Sequence, residues 1–333
     1  MTPRRRFLLG SAAAALPLAA AAQDRPTIRI ARIQGVNFLP THLMQRRKLV
    51  EAYAARLGIP DARVEWLDFP GGGNATDAML AGTVDVVNAG PGNLLLLWDR
   101  TRGGVKGVVS NSSLPAVLVS RDPRLRTITD YGPDDRIAVP TVLVSTPAIL
   151  LQIAAEQAYG ADQWRRLNAN TVQMGHADAY IALRNPSHEV RRHFGSPPFI
   201  GRELRDVPGA HVVTSSSAIL GSPLCTAVMF ATTKYAAQQP GLIQALIDAS
   251  AEAVTSVRTD PAAAARDYLE LSRDRMAEDE LVALLREPDM VFSVKPEGTL
   301  RFAEFLHRTG TLKIKPERWT DYFIPQAAGL NGS

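Results

Sequence analysis

The sequence predicts an α/β protein of two lobes, each a mostly parallel sheet flanked by helices. Three observations carry this expectation. Short apolar runs alternate with longer amphipathic ones from Thr27 onward, the rhythm of β-α-β units. The same rhythm starts again near Leu114. The chain has 333 residues, 46% of them hydrophobic, which is more than one core organises, and no Pro/Gly/Ser-rich linker divides it. Two lobes without a flexible linker imply that the chain crosses between them through structured hinge segments.

Residues 1–22 read as an export leader. Arg4, Arg5 and Arg6 precede an apolar stretch from Phe7 to Ala22 that closes on the small residues Ala20-Ala21-Ala22. These are the charged region, apolar region and cleavage site of a secretory signal. The stretch falls short of the roughly 20 apolar residues that a membrane span needs. Arg4-Arg5-Arg6-Phe7-Leu8 also resembles a twin-arginine signal, with Pro3 in place of Ser or Thr, and the Sec route stays open beside it. No cysteine lies near the cleavage point, so the expected product is soluble in the periplasm, without a lipid anchor. Removing the three leader arginines takes the net charge from +4 to +1, with 34 basic residues against 33 acidic ones. A balance of that kind has no global footprint for nucleic acid or anionic membrane.

Along the mature chain, Thr27–Ile33 is the first expected strand and His42–Leu57 a helix, from apolar Leu43, Val50, Ala54 and Leu57 at helical spacing. Arg63–Phe69 is the second strand, followed by Gly71-Gly72-Gly73-Asn74 and a short helix from Ala75 to Ala81. Val84–Asn88 is the third, followed by Gly90-Pro91-Gly92 and a helix over Asn93–Trp98; Val105–Ser110 is the fourth. After the restart, Ala116–Ser120 and Arg136–Val139 are strands, and Ser145-Thr146-Pro147 opens a helix to Tyr159, because Pro needs no N–H donor in a first turn. Thr171–Met174, Glu189–Phe194 and His211–Thr214 are further strands, with a helix over Ala177–Leu183. From Ala227 the chain reads as mostly helical, over Lys234–Val257, Pro261–Leu271, Ala277–Arg286 and Pro296–Thr309. The expected lobes are residues 23–112 with 224–333, and 113–223, the apolar Leu224–Ala231 run returning to the first sheet.

Catalytic signatures are missing. There is no GxxxxGK[ST] phosphate loop and no G-x-S-x-G elbow, and Gly71-Gly72-Gly73 lacks dinucleotide spacing. His188 and His193 are five apart on an expected strand, which sends them to opposite faces and reads as exposed or locally hydrogen-bonded histidines rather than metal ligands. His42, His176, His211 and His307 show no ligand spacing. Cys225 is the only cysteine, so no internal disulfide or cysteine zinc cluster can form. No cofactor and no metal is expected.

What recurs is a strand followed by a helix start bearing glycine or hydroxyl groups, at Gly72-Gly73-Asn74, at Gly90-Pro91-Gly92 and at Ser145-Thr146. Helix N-termini carry free N–H groups and a partial positive charge that suit a small anion. Glycine also simply makes tight turns, so a single instance is weak. Three in two lobes, beyond the carboxyl ends of strands, mark a candidate ligand site.

The order of these motifs resembles the nitrate/taurine/sulfonate-type substrate-binding proteins of ABC transporters. The resemblance rests on Val64–Gly72 with Asp77–Val86, on Ile30–Gln34 with Asn37-Phe38-Leu39-Pro40, and on Ile137-Ala138-Val139 before Ser145-Thr146. His176-Ala177-Asp178 and Ser196-Pro197-Pro198-Phe199 extend it over nearly the whole mature chain. It implies a type II periplasmic-binding fold with a ligand cleft between two lobes. Relatives often have an aromatic residue followed by Asp-Pro where this chain has Ser196-Pro197-Pro198, so the cleft aromatic is either supplied by Phe199 or lacking. The cysteine cluster of the related thiamine-pyrimidine synthases is also missing.

The expected function is therefore a non-catalytic, monomeric periplasmic component that binds a small, anionic organic solute or nitrate and delivers it to ABC permease subunits. The expected ligand contacts are Asn37, Phe38, Gly72, Gly73, Asn74, Gly90, Pro91, Gly92, Ser145, Thr146, His176, Tyr180, Ser196 and Pro197. An exported enzyme of the same fold, or a binder serving a sensor or another transporter type, remains as the alternative. A regulator's effector domain would need a helix-turn-helix where the leader stands.

Overall fold

The computed structural model describes residues 25–272 and 274–333, so the export leader lies outside the described residues. Among the described residues ten strands form two five-stranded sheets. The first third of the chain runs β1 (Thr27–Ile33), α1 (Leu39–Arg46), α2 (Leu49–Arg56), β2 (Arg63–Phe69), α3 (Gly72–Leu80), β3 (Val86–Ala89), α4 (Pro91–Arg100) and β4 (Val105–Ser112). The second sheet follows as β5 (Val117–Ser120), β6 (Arg136–Val139), α5 (Thr146–Tyr159), β7 (Thr171–Gln173), α6 (His176–Arg184), β8 (Val190–Gly195), α7 (Phe199–Asp206), β9 (His211–Ser215) and α8 (Ser216–Leu220). β10 (Ala227–Thr232) then precedes α9 (Thr233–Gln238), α10 (Pro240–Thr259), α11 (Pro261–Ser272), α12 (Glu278–Leu285) and α13 (Thr299–Arg308).

The sheet orders are β2-β1-β3-β10-β4 and β7-β6-β8-β5-β9. In each, one strand next to an edge, β10 or β5, runs antiparallel to both neighbours, and the other four share a direction. The odd strand is where the chain changes sheets: β5 enters the second, and β10 returns to the first. From Ala227 to Ala231 every residue of β10 is buried, as a strand inserted between two others must be. The two crossings run side by side. Thr226 N–H donates to Ser112 O at 2.8 Å, and Ser216 N–H to Ala116 O at 2.8 Å.

Two expected helices are each two helices. His42–Leu57 is broken at Lys48, which takes a left-handed conformation (φ 51°) between α1 and α2. Lys234–Val257 is broken before Pro240, which has no N–H to continue α9 and begins α10 instead. Thr232 starts α9 by accepting from Tyr235 N–H at 3.1 Å. The helix expected from Ala75 begins at Gly72, and the one expected from Asn93 begins at Pro91, so the glycine turns belong to the helices themselves.

The first core lies between its sheet and α1, α2 and α10, where Ile28, Ile30, Leu43, Leu246 and Phe230 have no exposed surface. No described helix is long and apolar enough to cross a membrane.

Candidate functional site

The carboxyl ends of the parallel strands in both sheets face one cavity of about 870 Å³. Ile33, Pro70, Ala89, Pro140, Gln173 and Ser196, at or just after the ends of six strands, all line it. Five helices start on its wall: α3 after Gly71, α4 after Gly90, α5 after Ser145, α6 after Gly175 and α7 after Pro198. A β-α unit places its helix start beyond the strand's carboxyl end, so ten strands of this order bring these termini together without further design. Their free N–H groups and dipoles turn partial positive charge toward the cavity. Among the described residues the lining holds Asp77 and Asp274 and no Lys or Arg.

Ten of the expected contacts line this cavity: Asn37, Phe38, Gly72, Gly73, Asn74, Gly90, Ser145, Thr146, His176 and Ser196. Pro91, Gly92, Pro197 and Tyr180 do not. Pro91 and Gly92 are buried in the first turn of α4, where a Cβ on Gly92 would stand 2.9 Å from Val144 O. Pro197 is buried beneath the wall, joined to Pro198 by a cis peptide bond. Tyr180 turns its hydroxyl outward and donates to Asp206 at 2.6 Å, with the Arg184 guanidinium over its ring. Phe199 does line the cavity and stacks on His176, with ring centres 6.0 Å apart.

The hydroxyls are not equivalent. Ser145 Oγ accepts from Ala148 N–H at 3.4 Å and donates to Thr141 O at 2.6 Å, so it caps α5. Asn37 reaches across the cleft and donates from Nδ2 to Ser196 Oγ at 3.5 Å, leaving its buried Oδ1 without a partner. Behind the wall formed by Phe38 and Gln34, buried His42 donates from Nδ1 to Phe38 O at 3.0 Å, has its Nε2 3.2 Å from the Gln34 side-chain amide, and packs edge-on against Tyr268. Burial holds its imidazole down at about 4, so it is a neutral brace.

Sequence spacing gave no sign of a second polar line. His176 Nδ1 lies 2.7 Å from His193 Nε2, and His193 Nδ1 lies 2.6 Å from Glu203 Oε1. The residues come from α6, β8 and α7, and only the packing of those three elements joins them. Glu203 Oε2 is buried and unpartnered. An unsatisfied buried polar group of this kind costs about 1–3 kcal/mol. Burial pushes the Glu203 carboxyl up to about 8 and both imidazoles down to about 3. Among the described residues no group of His, Cys, Asp and Glu is arranged to hold a metal ion.

Two α/β lobes joined by two adjacent crossings, with helix N-termini lining the cavity between their sheets, define the architecture of periplasmic binding proteins. Solved structures of that class superpose over most of the chain. The periplasmic aliphatic sulphonate binding protein SsuA of Escherichia coli matches with a TM-score of 0.68 and 17% identity, covering 90% of this chain and 92% of that one. The alkanesulfonate-binding protein SsuA of Xanthomonas axonopodis pv. citri, bound to MOPS, matches at 0.67 and 16%, covering 90% and 97%. The periplasmic nitrate-binding protein NrtA of Synechocystis PCC 6803 matches at 0.62 and 12%, covering 90% and 84%. No family model matches the chain, and no curated protein sequence does. At these identities the likeness is one of fold, and the chain has the periplasmic-binding-protein fold.

Proposed function

We propose that the chain is the substrate-binding component of an ABC importer for a small anion, of the sulfonate, taurine or nitrate class. It works as an exported, monomeric, non-catalytic periplasmic protein that hands its ligand to membrane permease subunits. The observation that carries this reading is the convergence of five helix N-termini on one cavity. Each terminus contributes about 0.3–1 kcal/mol toward an anion at an exposed site, and more when water is excluded. Micromolar affinity needs about −8.2 kcal/mol, so the hydroxyls of Thr146, Ser196 and Thr226 and the apolar faces of Phe38 and Phe199 supply the remainder. The sulfonate- and nitrate-binding proteins of the same fold support the class of ligand.

In this reading residues 23–112 with 224–333 form one lobe and 113–223 the other, and the paired crossings act as the hinge on which the lobes close. A thermal-shift screen followed by calorimetry with ethanesulfonate, taurine and nitrate tests the proposal. One of them should bind one-to-one and raise the melting temperature, since ligand at a hundred times its Kd adds about 2.7 kcal/mol of apparent stability. Binding of neutral heterocycles alone, with no response to any anion, would overturn it.

A further inference from the structure

Ser196, His176, His193 and Glu203 stand in single file from the cavity wall into the interior of the second sheet's lobe. Ser196 Oγ lies 3.4 Å from His176 Nε2, and the two bonds that follow are 2.7 and 2.6 Å long. Ser196 and His176 face the cavity, while His193 and Glu203 have no exposed surface. The file has been given room, since a Cβ on Gly195 would overlap the edge of the His193 ring. The Phe199 ring, stacked on His176, fixes the imidazole plane.

We propose that this file is a proton relay that sets the polarity of Ser196 on the cleft wall, so that its hydroxyl is a hydrogen-bond donor to an anion only while one proton is held at the inner end. The inference rests on the reading of the cleft as an anion site. A neutral imidazole has one donor and one acceptor nitrogen, so fixing one end of the file fixes every bond along it. With the proton present, either Glu203 donates to His193 Nδ1 or a protonated His193 faces the carboxylate. In both arrangements His193 Nε2–H donates to His176 Nδ1. His176 then carries its hydrogen on Nε2, toward Ser196, and the serine hydroxyl hydrogen is free to turn to the ligand. When the proton leaves for solvent, the Glu203 carboxylate takes the hydrogen of His193 Nδ1, and His193 Nε2 accepts from His176 Nδ1–H. The bare His176 Nε2 then takes the hydrogen of Ser196, whose oxygen shows only lone pairs to the cleft.

Burial raises the Glu203 carboxyl to about 8, which holds the inner proton through neutral pH and releases it in mild alkali. The charged groups on the surrounding elements are engaged elsewhere. On α7, Arg202 pairs with Glu280 and Arg205 with Asp206; on β8, Arg192 pairs with Asp122 and Asp135, and Arg191 is exposed. On α6, Asp178 and Arg184 are exposed and Tyr180 is bonded to Asp206; β5 carries no titratable side chain. The Tyr268 phenol on the cavity wall is raised above its ordinary value and stays silent below pH 10.

Two measurements test the relay. In the ligand-free protein, ¹⁵N NMR of the histidine side chains between pH 6.5 and 9.5 should show His176 passing from the Nε2–H to the Nδ1–H tautomer. In Glu203→Gln, which has no proton to lose, the tautomer should not change with pH. Calorimetry with ethanesulfonate and nitrate, which stay anionic throughout, should show wild-type affinity falling about tenfold per pH unit above the transition, and a flat profile in Glu203→Gln. A His176 tautomer that is constant in the wild type, or an equal alkaline fall in the variant, overturns the relay. If neither anion binds at any pH, the importer reading fails, and the tautomer measurement, which needs neither ligand nor variant, still decides the relay.

Discussion

Gly90 and Thr146 meet across the two sheets so closely that a Cβ on Gly90 would stand 2.8 Å from Thr146 Oγ1. Gly90 precedes α4 and Thr146 opens α5, so two helix starts from different sheets face each other on the cavity wall. Gly90 is in extended backbone (φ −67°, ψ 156°), which any residue adopts. Its lack of a side chain therefore serves the contact, not the turn.

Gly90→Ala should accordingly destabilise the protein by overpacking, by about 1–3 kcal/mol. In a Thr146→Ala background, where the opposing hydroxyl is gone, the same change should cost less than half as much. Urea unfolding of the four proteins in a double-mutant cycle measures the coupling. Purely additive costs would mean that the two helix starts do not touch in solution.

Ser145 and Thr146 should separate under mutation although they are adjacent. Ser145→Ala removes the α5 cap and should lower stability by about 1 kcal/mol with little change in affinity. Thr146→Ala should leave the melting temperature nearly unchanged and weaken binding of ethanesulfonate or nitrate, with the double variant losing more than tenfold, or about 1.4 kcal/mol. Calorimetry at matched folded fraction distinguishes them, and full affinity in the double variant removes both residues from the site.

Phe38 and Tyr180 should differ in the same way. Phe38→Ala opens the cavity wall and should weaken binding. Tyr180→Phe breaks only the exposed bond to Asp206, worth under about 1 kcal/mol, and should leave affinity intact. A large affinity loss in Tyr180→Phe would place the tyrosine in the site after all.

Acid should unfold the protein through Asp122. The bonded Arg124 guanidinium, with further help from the buried Arg192, holds this carboxyl down at about 2. Because the folded value lies below the unfolded one, the stabilisation is complete above about pH 5 and is lost as pH falls from about 4 toward 2. The melting-temperature gap between wild type and Asp122→Asn should be wide at pH 7 and close by about pH 2.

Glu203 has the opposite sign. Its folded value lies above the unfolded one, so the native state binds the extra proton and stability falls as pH rises from about 4 to about 8. Glu203→Gln should be free of this slope. The difference in stability between variant and wild type should shift in the variant's favour across that range, then level off. Equal slopes in the two proteins would show that the carboxyl titrates normally in the fold.

Much of the architecture is legible in the chain because it depends on short-range alternation. Thr27–Ile33, Arg63–Phe69 and Arg136–Val139 coincide with their strands residue for residue, since strand periodicity and flanking turn residues are local properties. The glycine and hydroxyl turns point to the cavity because a helix after a parallel strand must start at the strand's carboxyl end. Single-residue breaks such as the left-handed Lys48 escape this reading, because nothing in the local pattern requires a lysine to leave the helix. Which turn residue faces the ligand is a different matter. Gly90 and His176 reach the wall, while Pro91 and Tyr180 one and four positions further on do not, and the helix rotation that decides this is set by packing. The His176–His193–Glu203 line is tertiary altogether: three residues on three elements, without spacing or motif, joined only where α6 and α7 close over the end of β8. The sequence by itself determined the strand-and-helix order and the helix starts that favour an anion, because those follow from local pattern. The tertiary structure alone decided which polar groups share a proton, because that depends on distances set by packing between elements far apart in the chain.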